Sequence, residues 1–257
     1  MHKFIHRVSK GSRYNQIYIP IEMAEFFHIG DIVKVELIER KTRLYSNIKN
    51  LGDFKDKLIK EIFSFLSKFK EIEQIFLVGS FLTEKTDYRD IDLLIITKKE
   101  KFEGEIYNKL SEKFGMKFHV ILIPGEKLIE LGKICPLTRS MLYHNISNKE
   151  FKLPEKKIDK KHLNFLMMMP EDLLKIKAGS RVFYDNLRRL ETIKNFLGKE
   201  LNPEEINKKL KRELGNLFEI MKNNEEIDEE TIKKVREIIK NKLNNIRRKL
   251  YEQEKNT

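Results

Sequence analysis

Cysteine is almost absent from this sequence, and long apolar runs are absent altogether. The single cysteine, Cys135, excludes an intramolecular disulfide and a cysteine-based zinc cluster. No segment approaches the roughly 18 uncharged apolar residues of a transmembrane helix, so no membrane association is expected. The first residues also lack the apolar core of a secretory signal. We therefore expect a cytoplasmic protein with an ordinary packed core.

Charge, in contrast, is abundant and unbalanced. The 257 residues include 52 Lys and Arg against 40 Asp and Glu, which gives a formal net charge of +12. Such a balance favours polyanionic partners, namely nucleic acid, nucleotides or an anionic surface. The alternative is that the many lysines serve only solubility or reflect codon usage. The length allows about two or three small domains.

The clearest chemical pattern lies between residues 75 and 97. An apolar run stops at Gly79-Ser80, and a second apolar run begins directly after Asp90 and Asp92. Side chains alternate along a strand, so the two aspartates project from one face about 7 Å apart. Carboxylates this close repel each other unless a cation lies between them, and oxygen ligands suit Mg²⁺. A Gly-Ser turn with free backbone N–H groups is suited to phosphates.

This pattern resembles the DNA polymerase β-like nucleotidyltransferase superfamily over about residues 53–125. The matching residues are Gly79, Ser80, Asp90 and Asp92, in the order strand, Gly-Ser, helical turn, Asp-x-Asp, strand. The resemblance implies that the Gly-Ser pair binds the phosphates of an NTP and that both aspartates are catalytic ligands of Mg²⁺ (or Mn²⁺). It further implies NMP transfer to a hydroxyl of RNA, protein or a small molecule. The alternative is two strands joined by a charged loop, with the aspartates capping a strand edge.

One position departs from the superfamily pattern. Active members carry a third carboxylate on the next strand, which we predict over residues 118–123, where the only polar side chain is His119. A neutral imidazole can join Asp90 and Asp92 as a metal ligand, although it suits Zn²⁺ or Mn²⁺ better than Mg²⁺. Alternatively, His119 faces the domain surface or accepts a core hydrogen bond. The sequence therefore leaves open whether the nucleotide is turned over or only bound.

The first 45 residues predict a separate β-unit. Strands are expected over residues 4–8, 16–20 and 32–37, with turns between them. About forty residues cannot bury much core, and dimerisation is one way to complete it.

This unit resembles the swapped-hairpin domain of the AbrB/SpoVT family, in which two protomers interleave hairpins and usually bind DNA. The resemblance implies a homodimer formed through residues 1–45, with DNA contacts from Arg7, Lys10 and Arg13. The alternative is a β-unit that only dimerises the protein or packs on its own enzyme domain. The matching residues are Gly11, Arg13, Gln16, Ile17, Ile19, Pro20, Gly30 and Asp31.

The remainder of the chain, from residue 131, is predicted to be largely helical. A segment at residues 179–185 resembles the short glycine, apolar pair, tyrosine segment of several small nucleotidyltransferases, which implies that Arg181 binds the nucleotide and Tyr184 stacks on its base. The alternative is a helix start with ordinary surface cations. Residues 231–251 carry eight Lys or Arg and one Glu, so the last helix presents a basic face to RNA or DNA, or merely a solvated one.

The sequence therefore predicts an α+β fold in three parts: a swapped-hairpin domain over residues 1–45, a mixed-sheet nucleotidyltransferase core over 50–130 and a helical region over 131–257. Two functions are open. The chain transfers an NMP, or it is a DNA-binding transcriptional regulator whose nucleotide-sensing domain has lost catalysis. The expected helices before and around the core cover residues 53–69, 102–114 and 134–146.

Overall fold

The computed structural model describes residues 3–36, 43–48, 51–83, 88–98, 103–198 and 203–255. The chain divides into two compact units, residues 1–41 and 42–257. It is α+β, with a small antiparallel hairpin first, a mixed five-stranded sheet next and helices at the end, which confirms the predicted fold class.

The first unit contains little regular structure. Strands β1 (Ser9–Lys10) and β2 (Asn15–Gln16) form an antiparallel hairpin, in which the N–H of Gly11 donates to the carbonyl of Tyr14 across the turn. A single 3₁₀ turn follows at Ile21–Met23. The hairpin is compatible with the predicted β-unit.

The extent of the strands predicted for this unit is wrong. Of residues 4–8, 16–20 and 32–36, only Gln16 lies in a strand, and residue 37 lies outside the described residues. An isolated two-stranded hairpin is only marginally stable, and none of residues 3–36 is buried. An alternating apolar pattern is therefore not sufficient to form strands here, because nothing among the described residues of this unit buries the apolar side chains. The exposed apolar side chains include Ile5, Val8, Ile17, Ile19, Ile32, Val33 and Val35.

The second unit is built on a sheet with strand order β3-β7-β4-β5-β6. Its long strands are β4 (Ile72–Val78), β5 (Ile91–Thr97) and β6 (Phe118–Ile123), and β6 has the predicted bounds. β4 and β5 are antiparallel, whereas β5 and β6 are parallel, so the sheet is mixed. The short strands β3 (Tyr45–Ser46) and β7 (Ile146–Ser147) extend the edge beside β4.

Helices cover both faces of this sheet. The helices α1 (Asp53–Leu66) and α2 (Glu103–Phe114) bury their apolar stripes against one face. Two shorter helices, α3 (Gly125–Ile134) and α4 (Pro136–Leu142), contribute apolar side chains to a second core on the opposite face. β4 and β5 are consequently buried on both sides, which explains their continuous apolar runs.

The helix predicted over residues 134–146 is only partly correct. A helix already forms at α3, which the sequence interpretation missed, and Pro136 begins the separate helix α4. Proline fits the first turn of a helix because the missing N–H has no acceptor there in any case. The helix ends at Leu142, and Ile146 then pairs with Leu77 of β4 as part of the short strand β7.

The C-terminal part is a bundle around α6 (Ser180–Phe196), which is buried along much of its length. Its neighbours include the longest helix, α9, together with α5, α7 and α8. No helix among the described residues has the length and apolar composition needed to cross a membrane. The neighbouring helices are α5 (Lys160–Asp172), α7 (Pro203–Leu214), α8 (Leu217–Lys222) and α9 (Glu229–Lys255).

A buried charge network ties three of these helices together. Glu191 of α6 is fully buried, and its carboxylate lies 2.9 Å from the Nζ atom of Lys242 on α9. Lys242 also lies 2.6 Å from Glu213, and Lys209 of α7 donates to Glu191. Burial alone would raise the pKa of Glu191, but its two lysine partners outweigh burial and lower that pKa. The carboxylate is therefore held in its charged form.

The basic face predicted for the last helix is smaller than the residue types suggested. Of the eight cations between residues 231 and 251, Lys242 is buried in this network, and Arg236 donates to two backbone carbonyls just after α5. Arg247 pairs with Glu171 at 2.5 Å. These three side chains are engaged in contacts within the bundle, and nucleic-acid binding by the rest of α9 stays a prediction.

We predict that Lys242→Met destabilises the protein by about 3 kcal/mol, because it leaves Glu191 charged and buried with one partner fewer. The control is Lys234→Met, which removes a surface ion pair with Glu230 and is expected to leave the stability almost unchanged, because solvent screens exposed pairs. Urea denaturation followed by circular dichroism measures both changes. Equal, small losses for the two variants would contradict a stabilising role for the network.

Candidate active site

The turn after β4 carries the first pair of predicted site residues. β4 is buried from Ile75 to its last residue, Val78, and the next residue, Gly79, has a φ of +82°, which glycine adopts without strain. A single 3₁₀ turn, Ser80–Leu82, follows directly. The first N–H groups of a helical turn have no acceptor within it, so they are available to a ligand.

Asp92 lies directly against this turn. In the antiparallel register of β4 and β5, Val78 pairs with Asp92. A Cβ atom added to Gly79 would lie only 2.0 Å from Oδ2 of Asp92. Gly79 thus meets two requirements, a left-handed backbone and room for a carboxylate. The structure brings the predicted phosphate turn and a predicted metal ligand into contact.

His119 lies on the other side of Asp92. The parallel register of β5 and β6 pairs these two residues, and Nδ1 of His119 lies 3.0 Å from Oδ1 of Asp92. Burial raises the pKa of Asp92 above its usual range. The hydrogen bond with His119 opposes this rise, and the negative charge of Asp90 adds to it. The third strand therefore places an imidazole at the carboxylate, as the strand pattern predicted.

The donor set fits a metal ion that arrives with a nucleotide. Asp90 directly precedes β5, and its charge acts on Asp92. Among the described parts of the chain, no group of three or more His, Cys, Asp or Glu side chains is arranged to hold a metal. Mg²⁺ is commonly bound by one or two carboxylates and completes its coordination with water and substrate phosphates. Asp90 and Asp92 beside the turn suit that arrangement better than a preformed protein cage.

Arg181 lies in the first turn of α6, within the helical bundle. Its guanidinium lies 3.1 Å from Oδ2 of Asp185 and donates to the Lys222 carbonyl at 2.6 Å. It also lies over the ring of Tyr184, which is only 4 % exposed and packs on Phe218. The prediction that Tyr184 stacks on a base is wrong, because its ring belongs to the core. Nucleotide binding by Arg181 stays a prediction.

The predicted DNA contacts lie in the first unit. Lys10 is in β1, and Arg13 is in the turn that joins β1 to β2. Arg7 precedes β1, and all three side chains are exposed. The cations thus flank one hairpin turn, and DNA binding by them is still a prediction.

The sequence interpretation missed Lys55, a buried lysine of α1. Its Nζ atom donates to the Phe81 carbonyl at 3.0 Å and to the Thr83 carbonyl at 2.7 Å, so it contacts the turn after Gly79. A signal was present, because Lys55 precedes Leu58 and Ile59 by three and four residues. That spacing places it on the apolar stripe of the helix, where a lysine needs a partner.

Comparison with known families agrees with this geometry. Residues 60–148 match the family model described as Polymerase beta, Nucleotidyltransferase. The matched range includes the turn at Gly79, the Asp-x-Asp strand and His119, so the chain contains a nucleotidyltransferase-fold domain. No curated protein and no solved structure matches the chain at a significant level. The AbrB-like assignment of the first unit stays a prediction.

We predict that Gly79→Ala disrupts the site as well as the backbone. A left-handed alanine costs roughly 1–2 kcal/mol, and the new methyl group would also collide with Asp92. Gly115→Ala is the matched control, because Gly115 has a φ of +63° but nothing within 4 Å of an added Cβ. Both variants should lose stability in thermal denaturation, and Gly79→Ala should lose more, because only its added methyl group meets a neighbouring side chain. Only Gly79→Ala should shift the NMR signal of the Asp92 carboxylate, and an unshifted signal would contradict the close contact.

Proposed function

We propose that this protein binds an NTP with Mg²⁺ and transfers the NMP to a hydroxyl group of RNA, protein or a small molecule. The observation that supports this function is the contact between Gly79 and Asp92, which joins a phosphate-suited turn to a carboxylate strand. The polymerase β family match over residues 60–148 supports the same class of chemistry.

Each site residue has a separate part in this proposal. The backbone N–H groups of the turn that begins at Gly79 and Ser80 bind the phosphates of the nucleotide. Asp90 and Asp92 hold the metal with their carboxylates. When bound, Mg²⁺ supplies polarisation of the α-phosphate and neutralises charge on the pyrophosphate leaving group. The two aspartates fix that charge beside the turn, where the triphosphate needs it.

His119 sets the condition under which Asp92 can act. In the structure one oxygen of Asp92 is hydrogen-bonded to the imidazole, and the other lies against Gly79. A charged imidazolium would repel a cation, whereas a neutral imidazole is itself a possible metal ligand. Only a neutral His119 is therefore compatible with a metal ion at Asp92. As a ligand, an imidazole suits Mn²⁺ better than Mg²⁺.

The direct test is isothermal titration of each NTP with and without Mg²⁺. We expect binding that depends on the metal and is weakened at least about tenfold in Asp90→Asn, because the variant loses a charged ligand. Asp56→Asn is the control, since Asp56 is an exposed carboxylate of α1. Absence of binding by the wild type, or equal binding by Asp90→Asn, would contradict the proposed site.

Catalysis is tested in the same preparation with labelled NTPs and His119→Asp. This variant introduces a carboxylate beside Asp92, at the place where the parallel register puts the imidazole. Transfer of label by the wild type that Asp92→Asn abolishes identifies an enzyme. Binding without transfer, together with transfer gained in His119→Asp, identifies a nucleotide sensor that lost its third carboxylate.

A second function is favoured by the first unit. None of residues 3–36 is buried, and apolar side chains of the predicted strands are exposed. A second copy would cover such surfaces by completing a shared core, as the AbrB resemblance implies. The exposed cations Arg7, Lys10 and Arg13 beside the hairpin turn then suit DNA phosphates. On this proposal the protein is a homodimeric, DNA-binding regulator with a nucleotide-responsive domain.

We expect the protein to elute with a mass twice the 30.8 kDa of one chain in size-exclusion chromatography with light scattering. It should retard duplex DNA at low salt, and Arg13→Ala should lower the salt slope of binding by about one unit. Lys34→Ala, an exposed lysine outside the hairpin, is the control. A monomer that fails to retard DNA at low salt would exclude this second function.

A further inference from the structure

Lys55 is a buried cation, and it contacts the turn that follows Gly79 in the candidate active site. It lies in the first turn of α1, and only 8 % of the residue is exposed. Burial lowers the pKa of its ammonium group, because charge is less stable away from water. A lysine in such a position is costly unless its charge and N–H groups are satisfied.

The described partners of Lys55 lie between residues 81 and 88, in the phosphate turn and in the segment that leads to the aspartates. Its Nζ atom donates to the carbonyls of Phe81 and Thr83, at 3.0 and 2.7 Å. The same atom lies 5.2 Å from the ring centre of Phe81 and 5.4 Å from that of Tyr88. The two rings contact each other edge to face. One side chain thus connects α1 to the turn after Gly79 and to Tyr88, which precedes Asp90 by two residues.

The hydrogen bonds within and around the turn determine which of its backbone groups remain available to a ligand. The carbonyl of Gly79 accepts from the N–H of Leu82, and the carbonyl of Ser80 accepts from both the N–H and the hydroxyl of Thr83. Lys55 takes the carbonyls of Phe81 and Thr83. Four carbonyl oxygens between residues 79 and 83 are therefore engaged in bonds within the protein. An anion is repelled by carbonyl oxygens, so engaging them favours the presentation of N–H groups to phosphate.

We propose that Lys55 is the positioning residue of the nucleotide-binding turn. It holds the carbonyls of Phe81 and Thr83 toward α1 and so keeps the turn in the form that accepts phosphates. Its positive charge also lies next to the turn, where it favours a negatively charged ligand. This inference rests on the proposed function, because it concerns the same turn and the same NTP.

The test compares Lys55→Met with Lys57→Met, which replaces an exposed lysine of the same helix. Hydrogen exchange measures the amides of Leu82 and Thr83, which donate within the turn, and titration with Mg²⁺ and the preferred NTP measures affinity. We expect Lys55→Met to speed exchange of these turn amides about tenfold or more, with α2 and β6 unchanged. We also expect its NTP dissociation constant to rise about tenfold, the scale of losing hydrogen bonds from a charged donor. Lys57→Met should match the wild type in both.

The outcomes separate this inference from the proposed function. If the wild type binds no NTP, the proposed function fails, whereas the exchange measurement still tests the hold of Lys55 on the turn. If Lys55→Met is folded and its turn exchanges as in the wild type, the positioning role is excluded. If Lys55→Met does not fold, Lys55→Gln takes its place, because its shorter side chain draws the N–H donors back from the two carbonyls and removes the charge. Unchanged turn exchange and NTP affinity in Lys55→Gln would likewise overturn the proposal.

Discussion

The close approach of Gly79 to the Asp92 carboxylate is the constraint on which the candidate site depends. No side chain can occupy the space between them, because a Cβ atom would lie 2.0 Å from a carboxylate oxygen. The antiparallel register of β4 and β5 creates this contact, and the parallel register of β5 and β6 adds His119 on the far side. Lys55 of α1 then donates hydrogen bonds to two carbonyls of the turn that begins at Gly79. Three strands therefore meet at a single carboxylate, and α1 contacts the turn beside it.

The two units of the chain differ in how much of their apolar surface is buried. In the second unit, the sheet is covered on both faces, and a buried network around Glu191 adds a polar connection inside the helical bundle. In the first unit, the described residues bury nothing, and short strands form only around one turn. Hydrophobic burial drives strand formation in small units. The second unit therefore has its own core, whereas the described apolar side chains of the first unit are not buried.

Sequence reasoning succeeded where a pattern was local. β6 has its predicted bounds, the helix predicted over residues 53–69 begins at its predicted residue, and the order of Gly79, Asp90 and Asp92 identified the family later matched by comparison. It failed where a distant segment decides the outcome. β7 has only two residues, too few for any periodicity, and it forms because β4 offers a free edge. Lys242 looked like a surface cation because its partner, Glu191, lies 51 residues away in the chain.

By itself, the sequence determined which groups make up the candidate site: a Gly-Ser turn, two aspartates separated by one residue and a histidine on the next strand. Those features depend on neighbouring residues and on strand alternation, which are local properties. Only the tertiary structure decided that Asp92 touches both Gly79 and His119, and that a lysine of α1 engages the turn. Such contacts follow from strand register and helix packing, which depend on how the whole core is filled.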